Sequence, residues 1–145
     1  MLMPDVNVLV YAHRADTAQH LKALKWVDAL ARVDEPFGLS ALVATGFVRV
    51  VTGKTVFGSD PTPLSEAVDF VDELMAAENC RWIAPGPEHW KIFSRLCLAT
   101  RSTGKNAADA QHAAIALENG CTLATADGDF KRFAAEGLRW SHLAF

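Results

Sequence analysis

The sequence predicts an α/β fold in which one central parallel sheet is flanked by helices on both faces. Short apolar runs alternate along the chain with segments whose apolar residues recur at helical spacing. The 145 residues suffice for one large core, and no linker, internal repeat or low-complexity tract divides them. We therefore expect one domain over residues 1–145, with functional side chains at the carboxyl ends of the strands.

Proline, glycine and capping residues set the expected element boundaries. Pro4 ends the first strand because proline cannot donate to a strand ladder, Ser40 is a favourable N-cap, and Gly120 is a natural C-terminal cap. The expected elements are a strand ending near Pro4, a helical turn opened by Asp5, a helix over about 17–33, a strand at 37–39, a helix from Ser40, a helix after Pro61 and Pro63, a strand at 81–84, helices over 87–99 and 106–119, a strand at 121–124, a short helix at 127–133 and a strand at 138–140.

Apolar spacing also predicts which helix faces are buried. In the helix that begins at Ser40, the expected buried stripe is Val43, Phe47 and Val50. In the helix after Pro63, the acids are expected to face water and the inward residues to be Leu64, Val68, Val71 and Met75.

Composition excludes several classes of protein. Half of the residues are hydrophobic and 21% are charged, which excludes intrinsic disorder. Cys80, Cys97 and Cys121 are widely spaced and odd in number, so neither a disulfide framework nor a thiolate zinc site is indicated. No apolar run approaches the roughly 18 residues of a membrane span, and Asp5 is too early for a signal-peptide core. We expect a soluble, cytoplasmic protein.

Charge is segregated along the chain although the net charge is only −3. Every charge from residue 60 to 78 is negative. Residues 89–108 carry no acid at all and four basic residues, namely Lys91, Arg95, Arg101 and Lys105. A basic stripe of this kind can contact phosphates. A solvated helix face explains the same pattern equally well.

Three acids fall where a parallel sheet would gather them. Asp5 follows the first strand, Asp127 follows the strand at 121–124, and Asp109 lies in the first turn of the helix between them, with Asp129 near Asp127. Each has an alternative role in capping a helix or favouring its dipole, worth about 1 kcal/mol. Two carboxylates 4 Å apart repel by about 4 kcal/mol at an effective dielectric of 20, so convergence would require a cation. Hard oxygen ligands favour Mg²⁺ or Mn²⁺ over zinc.

Four segments together resemble the PIN-domain nucleases, specifically VapC-type toxins of toxin–antitoxin modules, over nearly the whole chain. They are Pro4-Asp5-Val6-Asn7-Val8-Leu9-Val10-Tyr11-Ala12-His13-Arg14, Gly46-Phe47-Val48-Arg49-Val50-Val51-Thr52, Asp109-Ala110 at a helix start, and Thr125-x-Asp127-x-Asp129-Phe130. The resemblance implies a Mg²⁺- or Mn²⁺-dependent endoribonuclease that cuts structured RNA with a metal-activated water and is inhibited by a cognate VapB-type antitoxin. It also implies a homodimer.

The resemblance assigns roles to individual residues. It implies Asp5, Asp109 and Asp127 as the catalytic, metal-binding acids, with Asp129 supporting them. Asn7 is expected to orient Asp5, and Thr125 either places a hydroxyl near the metal or caps the helix at Asp127. Arg49, Arg95, Arg101 and Lys105 are the candidates for phosphate contacts, and surface solvation is the alternative for each of them.

One position departs from the family pattern. Many PIN domains carry a second acid where this chain has Gly46, so a catalytically weak or inactive module that binds RNA or protein is the alternative function. A glycine within a helix costs about 0.5–1 kcal/mol relative to alanine, which either a close approach at Gly46 or neutral drift explains equally well. No histidine shows metal-ligand spacing, and His112 is expected to pack or hydrogen-bond locally.

Overall fold

The computed structural model describes all 145 residues, Met1–Phe145. Its elements in chain order are β1 (Leu2–Pro4), α1 (Val6–His13), α2 (His20–Arg32), β2 (Phe37–Ser40), α3 (Ala41–Thr52), α4 (Lys54–Phe57), α5 (Leu64–Met75), β3 (Cys80–Ile83), α6 (His89–Thr100), α7 (Lys105–Glu118), β4 (Thr122–Thr125), a 3₁₀ helix (Gly128–Glu136) and β5 (Trp140–His142).

The five strands form one parallel sheet in the order β3-β2-β1-β4-β5. Strand β1 lies at the centre, between β2 and β4, and Pro4 is in register with Ala124. This register places Asp5, the residue after β1, beside the carboxyl end of β4. The α/β fold with a parallel sheet is therefore as predicted.

Helices cover both faces of the sheet, as expected. On one face, α1, α2, α3 and α5 pack on Phe37 and Leu39 of β2 and form a core of 16 buried residues. On the other face, α6, α7 and the 3₁₀ helix pack on Met3 and Leu123 in a second core of 13 buried residues. The alanines of α7, which include Ala110, Ala113 and Ala114, are fully buried there. No helix has the length and apolar character that crossing a membrane requires.

The buried faces of α3 and α5 differ from those predicted. Helix α3 buries Val51 together with Val43 and Phe47, and Val50 is only half-buried. Helix α5 buries Ala67, Val71 and Leu74, whereas Leu64, Val68 and Met75 are 63%, 42% and 45% exposed. The apolar residues of α5 span more than one face, so their spacing is compatible with two orientations. Packing against α3 decides between them.

Three details differ from the sequence prediction. The last strand covers Trp140–His142 rather than 138–140, because Leu138 is buried in the core at the end of the 3₁₀ helix. The segment predicted as a short helix at 127–133 is this 3₁₀ helix, with Asp127 as its N-cap. Helix α4 was not predicted, and its single turn holds no fully buried residue.

The two leucines of α5 provide a test of its orientation. Leu74→Ala is expected to lower the free energy of unfolding by about 2–4 kcal/mol, because it removes a buried side chain and leaves a cavity. Leu64→Ala, the same substitution on the exposed face, is expected to change it by less than about 0.5 kcal/mol. Urea unfolding measures both, and equal losses would contradict the orientation.

Candidate active site

Asp5 joins the end of β1 to the start of α1 and is only 4% exposed. Its backbone N–H donates to the carbonyl of Ala124 at 2.9 Å. Carboxylate Oδ1 accepts from the backbone N–H of Val6 at 2.7 Å, so Asp5 caps α1. Oδ2 accepts from the side chains of Asn7 at 2.9 Å and Thr125 at 2.7 Å. The capping role and a place in the site, which were alternatives in the sequence, are filled by the same residue.

Asn7 and Thr125 connect Asp5 to the loop after β4. Asn7 Oδ1 accepts from the backbone N–H of Ala126 at 3.1 Å, and its Nδ2 donates to the Thr125 hydroxyl at 3.1 Å. That hydroxyl also accepts from the backbone N–H of Asp127 at 3.0 Å. Thr125 thus fixes the backbone of Asp127 while donating to Asp5. The Asn7 side chain thus bonds to Asp5, to Thr125 and to the backbone of Ala126.

Asp127 presents its carboxylate at the N-terminus of the 3₁₀ helix. Oδ1 accepts from the backbone N–H of Asp129 at 2.8 Å and caps the helix. Oδ2 lies 3.6 Å from Nζ of Lys105, at the start of α7. The lysine side chain is 74% exposed, so this ion pair contributes little to stability.

Asp109 differs from the other two acids because its buried carboxylate oxygen Oδ2 has no hydrogen-bond partner. Helix α7 begins at Lys105 after Gly104, with no side-chain cap, so Asp109 does not cap the helix and lies beyond its first turn, in which the sequence had placed it. Burial raises the pKa of Asp109 to about 6; Lys105 opposes this shift, and the negative charges of Asp127 and Asp5 add to it. Burial is the main cause of the raised pKa of Asp109, and the contributions of Asp127 and Asp5 follow from the presence of three acids in one neighbourhood.

The three acids line one cavity of about 630 Å³. No three His, Cys, Asp or Glu side chains lie close enough in this structure to form a ready-made metal cluster. The acids therefore share a cavity without meeting at a point. The other polar and charged residues that line it are Asn7, Thr17, Arg49, Lys105 and His112.

His112 is the site residue that the sequence interpretation excluded. It is half-buried and lines the cavity, and its buried Nδ1 makes no hydrogen bond, local or otherwise. Burial lowers the pKa of His112, while Asp5 raises it and Arg49 lowers it further. The available signal was its spacing, since a residue three positions after Asp109 lies on the same side of a helix.

Three other predicted site residues do not line the cavity. The carboxylate of Asp129 is 59% exposed and lies 3.8 Å from Arg132, so the structure gives it no place among the clustered acids. Arg95 is paired with Glu136 at 3.0 Å, and Arg101 is exposed at the end of α6, where its φ is 53°. Of the four basic candidates, only Arg49 and Lys105 reach the cavity.

Gly46 is a point of close approach, which is one of the two explanations that the sequence left open. A Cβ atom at Gly46 would lie 3.1 Å from Cγ2 of Val6, at the start of α1. A larger residue would require Val6 to move by a few tenths of an ångström. The chain has close helix packing at the position where many PIN domains have an acid.

Comparison with known proteins decides the family. A model of the PIN domain matches residues 2–136. The chain belongs to the PIN-domain family. It is 46% identical over 142 residues to ribonuclease VapC43 of Mycobacterium tuberculosis, and the match covers 98% of this chain and 95% of that protein. Membership therefore extends to the VapC ribonucleases, as the sequence predicted.

Solved PIN-domain structures share the fold. VapBC2 of Rickettsia felis, in complex with a promoter DNA fragment, has a TM-score of 0.68 at 18% identity and covers 97% of each chain. VapC20 of M. tuberculosis, a toxin that cleaves the sarcin–ricin loop, has a TM-score of 0.67 at 12% identity and covers 95% of this chain and 96% of the other. PIN-domain ribonucleases generally need a divalent metal.

Replacing Asp109 is expected to stabilise the metal-free protein. Its raised pKa means that the folded state binds this proton more tightly than the unfolded chain, whose aspartate pKa is about 3.9. The free energy of unfolding therefore falls as the pH rises from about 4 to about 6. Above pH 6, Asp109→Asn removes the cost of the buried charge, and we expect a gain of about 1–2 kcal/mol after allowing for partial exposure.

Urea unfolding in EDTA at pH 7.5 and at pH 4.5 measures this gain. It is expected to shrink at the lower pH, where the folded-state carboxyl is already protonated. Asp69→Asn on α5, an exposed acid with no ion pair, is the matched control and is expected to change stability by less than about 0.5 kcal/mol. A loss of stability in Asp109→Asn at pH 7.5 would contradict the proposed cost of burial.

Proposed function

We propose that this chain is a VapC-type toxin that hydrolyses phosphodiester bonds in structured RNA, such as transfer or ribosomal RNA, with the help of Mg²⁺ or Mn²⁺. The observation that carries the proposal is the shared cavity of Asp5, Asp109 and Asp127 in a chain so similar to a VapC ribonuclease. The ribonuclease class follows from family membership. The identity of the acids and of the metal is the part that we propose.

The acid set fits a hard divalent cation. Asp109 has a buried carboxylate oxygen without a hydrogen-bond partner. Because buried polar atoms in proteins usually have a partner, this oxygen is available to bind a cation. Asp5 and Asp127 supply further carboxylate oxygens, the ligand type that Mg²⁺ and Mn²⁺ prefer, and no cysteine lines the cavity. Water molecules can complete the coordination where Gly46 leaves no side-chain oxygen.

Each acid would hold the ion from a differently supported position. Asp5 is fixed by three hydrogen bonds, so its carboxylate is oriented before any ligand arrives. Asp127 is held by its capping bond, and Asp109 is held by helix α7 alone. Asp5, Asp109 and Asp127 would hold the Mg²⁺ or Mn²⁺, which would supply Lewis-acid polarisation of the scissile phosphate and activation of a water nucleophile.

The two cavity bases would position the RNA backbone. Arg49 on α3 makes no ion pair with any acid of the chain, so its charge is available for a phosphate. Lys105 is shared with Asp127 and can swing between that carboxylate and a phosphate, because it is mostly exposed. No protein nucleophile is required by this arrangement.

The partner is an antitoxin of the VapB type. The structural relatives include VapBC2 of R. felis, a toxin–antitoxin complex, which supports a protein inhibitor for this chain as well. A homodimer and a cytoplasmic location stay predictions. The exposed apolar residues Leu64, Val68, Met75 and Trp82 support a subunit contact, and sedimentation at micromolar concentration measures it.

The second candidate function is that of a module that binds RNA without cleaving it. It is favoured by Gly46, which packs against Val6 and supplies no acid. The two functions separate in one assay. The nuclease degrades transfer or ribosomal RNA only when Mg²⁺ or Mn²⁺ is added, whereas the binding module shows salt-sensitive RNA binding and no metal-dependent products.

Neutralising the acids tests the nuclease directly. Asp5→Asn, Asp109→Asn and Asp127→Asn are each expected to slow RNA cleavage in Mn²⁺ by at least about 100-fold, because each removes a charged oxygen from the metal site. Asp129→Asn is the matched control and is expected to stay within about threefold of wild type, since its carboxylate faces Arg132 outside the cavity. Cleavage that survives Asp5→Asn in a folded variant would refute the assignment.

A further inference from the structure

The cavity that holds the acids also has an apolar wall. The wall consists of Val10, Tyr11, Val50, Val56 and Phe57. Val56 is 62% exposed, and Tyr11 and Phe57 are half-buried, so their side chains remain partly available. Metal binding and phosphate contacts do not require such a surface.

The part of the wall on α4 is held in place by a buried arginine. Arg14, at the end of α1, is only 7% exposed, and its guanidinium lies 4.1 Å from the centre of the Phe57 ring. It is paired with both carboxylate oxygens of Asp16 at 2.6 and 2.9 Å. It also donates to the carbonyl of Asp60 at 2.7 Å and to the hydroxyl of Thr62 at 3.2 Å.

The contacts of Arg14 stabilise the position of α4, which is too short to be stable by itself. None of its four residues is fully buried. Arg14 connects α1 to the segment that follows α4, and one face of Phe57 packs against the arginine. The aromatic ring is thereby part of an anchored surface.

A free cation lies next to this wall. Arg49 precedes Val50 on α3, lines the same cavity and has no acidic partner. The cavity thus combines an unpaired cation, an acid set suited to a metal, and an aromatic and aliphatic surface. A ligand that matches all three carries a phosphate and a flat apolar group, as a nucleotide does.

We propose that Tyr11, Val56 and Phe57 of this apolar wall bind an unstacked nucleobase of the RNA. The nucleobase lies next to the phosphate that is bound at the site of Asp5, Asp109 and Asp127. The inference rests on the proposed function, because it assumes that this phosphate belongs to the substrate. RNA presents such bases in loops and bulges, where they stack on aromatic side chains. The wall therefore selects substrates with a splayed base at the cleavage position, and a fully paired duplex fits poorly.

Nucleoside monophosphates test the wall without any cleavage. We expect 5′-AMP or 5′-UMP to bind the wild-type protein in Mg²⁺ about 5- to 150-fold more tightly than ribose 5-phosphate, the same ligand without its base. NMR titration gives the dissociation constants, and shifts of the Tyr11 and Phe57 ring signals locate the base. Equal affinity for the nucleotides and ribose 5-phosphate would overturn the proposal in favour of a surface for a protein side chain.

Variants of the wall complete the test. Phe57→Leu keeps an apolar side chain without the ring and is expected to reduce the preference for the nucleotide at least threefold. Val56→Ser, at a position that is 62% exposed, is expected to reduce this preference as well. Leu98→Ser is the matched control, since Leu98 is 82% exposed on α6 and outside the cavity, and it is expected to change nothing. An unchanged preference in both wall variants would also overturn the proposal.

The outcome separates this inference from the proposed function. A protein that cleaves RNA but shows no preference for the base refutes the wall alone. A protein that prefers the nucleotide yet cuts no RNA in Mg²⁺ or Mn²⁺ keeps the wall and refutes the nuclease.

Discussion

The site depends on hydrogen bonds that join the carboxyl ends of two neighbouring strands. Strands β1 and β4 pair in parallel, so Asp5 and Thr125 meet although 120 positions separate them in the sequence. Asn7 bonds to both and to the backbone beyond β4. Because the carboxylate of Asp5 accepts three hydrogen bonds, the free energy cost of burying its charge is offset locally. The same bonds fix the direction in which Asp5 presents its oxygens.

Asp109, unlike Asp5, has no hydrogen bonds that offset the cost of burying its carboxylate. Its buried oxygen Oδ2 accepts no hydrogen bond, and burial among other acids raises the pKa of its carboxyl to about 6. A natural core tolerates few such groups, because each costs about 1–3 kcal/mol. The free energy cost of the unpaired Asp109 oxygen is offset by the packing of the buried alanines of α7 against the sheet. Stability built into the scaffold thus supports an acid that is left without a protein partner.

Local signals in the sequence were sufficient for the sheet and for much of the site. Pro4 marks the end of β1 and Gly120 follows the end of α7, and acids that follow neighbouring parallel strands lie at the same edge of the sheet. What could not be predicted depends on distant contacts. The face of α5 is decided by α3, Arg95 is neutralised by Glu136 across 41 positions, and Arg14 reaches Asp60 across 46. None of these pairings has a signature in either partner's local sequence.

The balance of charge in the cavity links its folding to its chemistry. The cavity contains three acidic residues and two basic residues, Arg49 and Lys105. Of the two basic residues, only Lys105 is within ion-pair distance of an acid. Burial raises the pKa of Asp109 to about 6, and the negative charges of Asp127 and Asp5 add to this shift. In the metal site that we propose, a divalent cation and the proton on Asp109 would compete for the same oxygens, so metal affinity is expected to rise with pH through that range. The buried charge that is expected to destabilise the metal-free protein at neutral pH is therefore the same charge that would attract a cation.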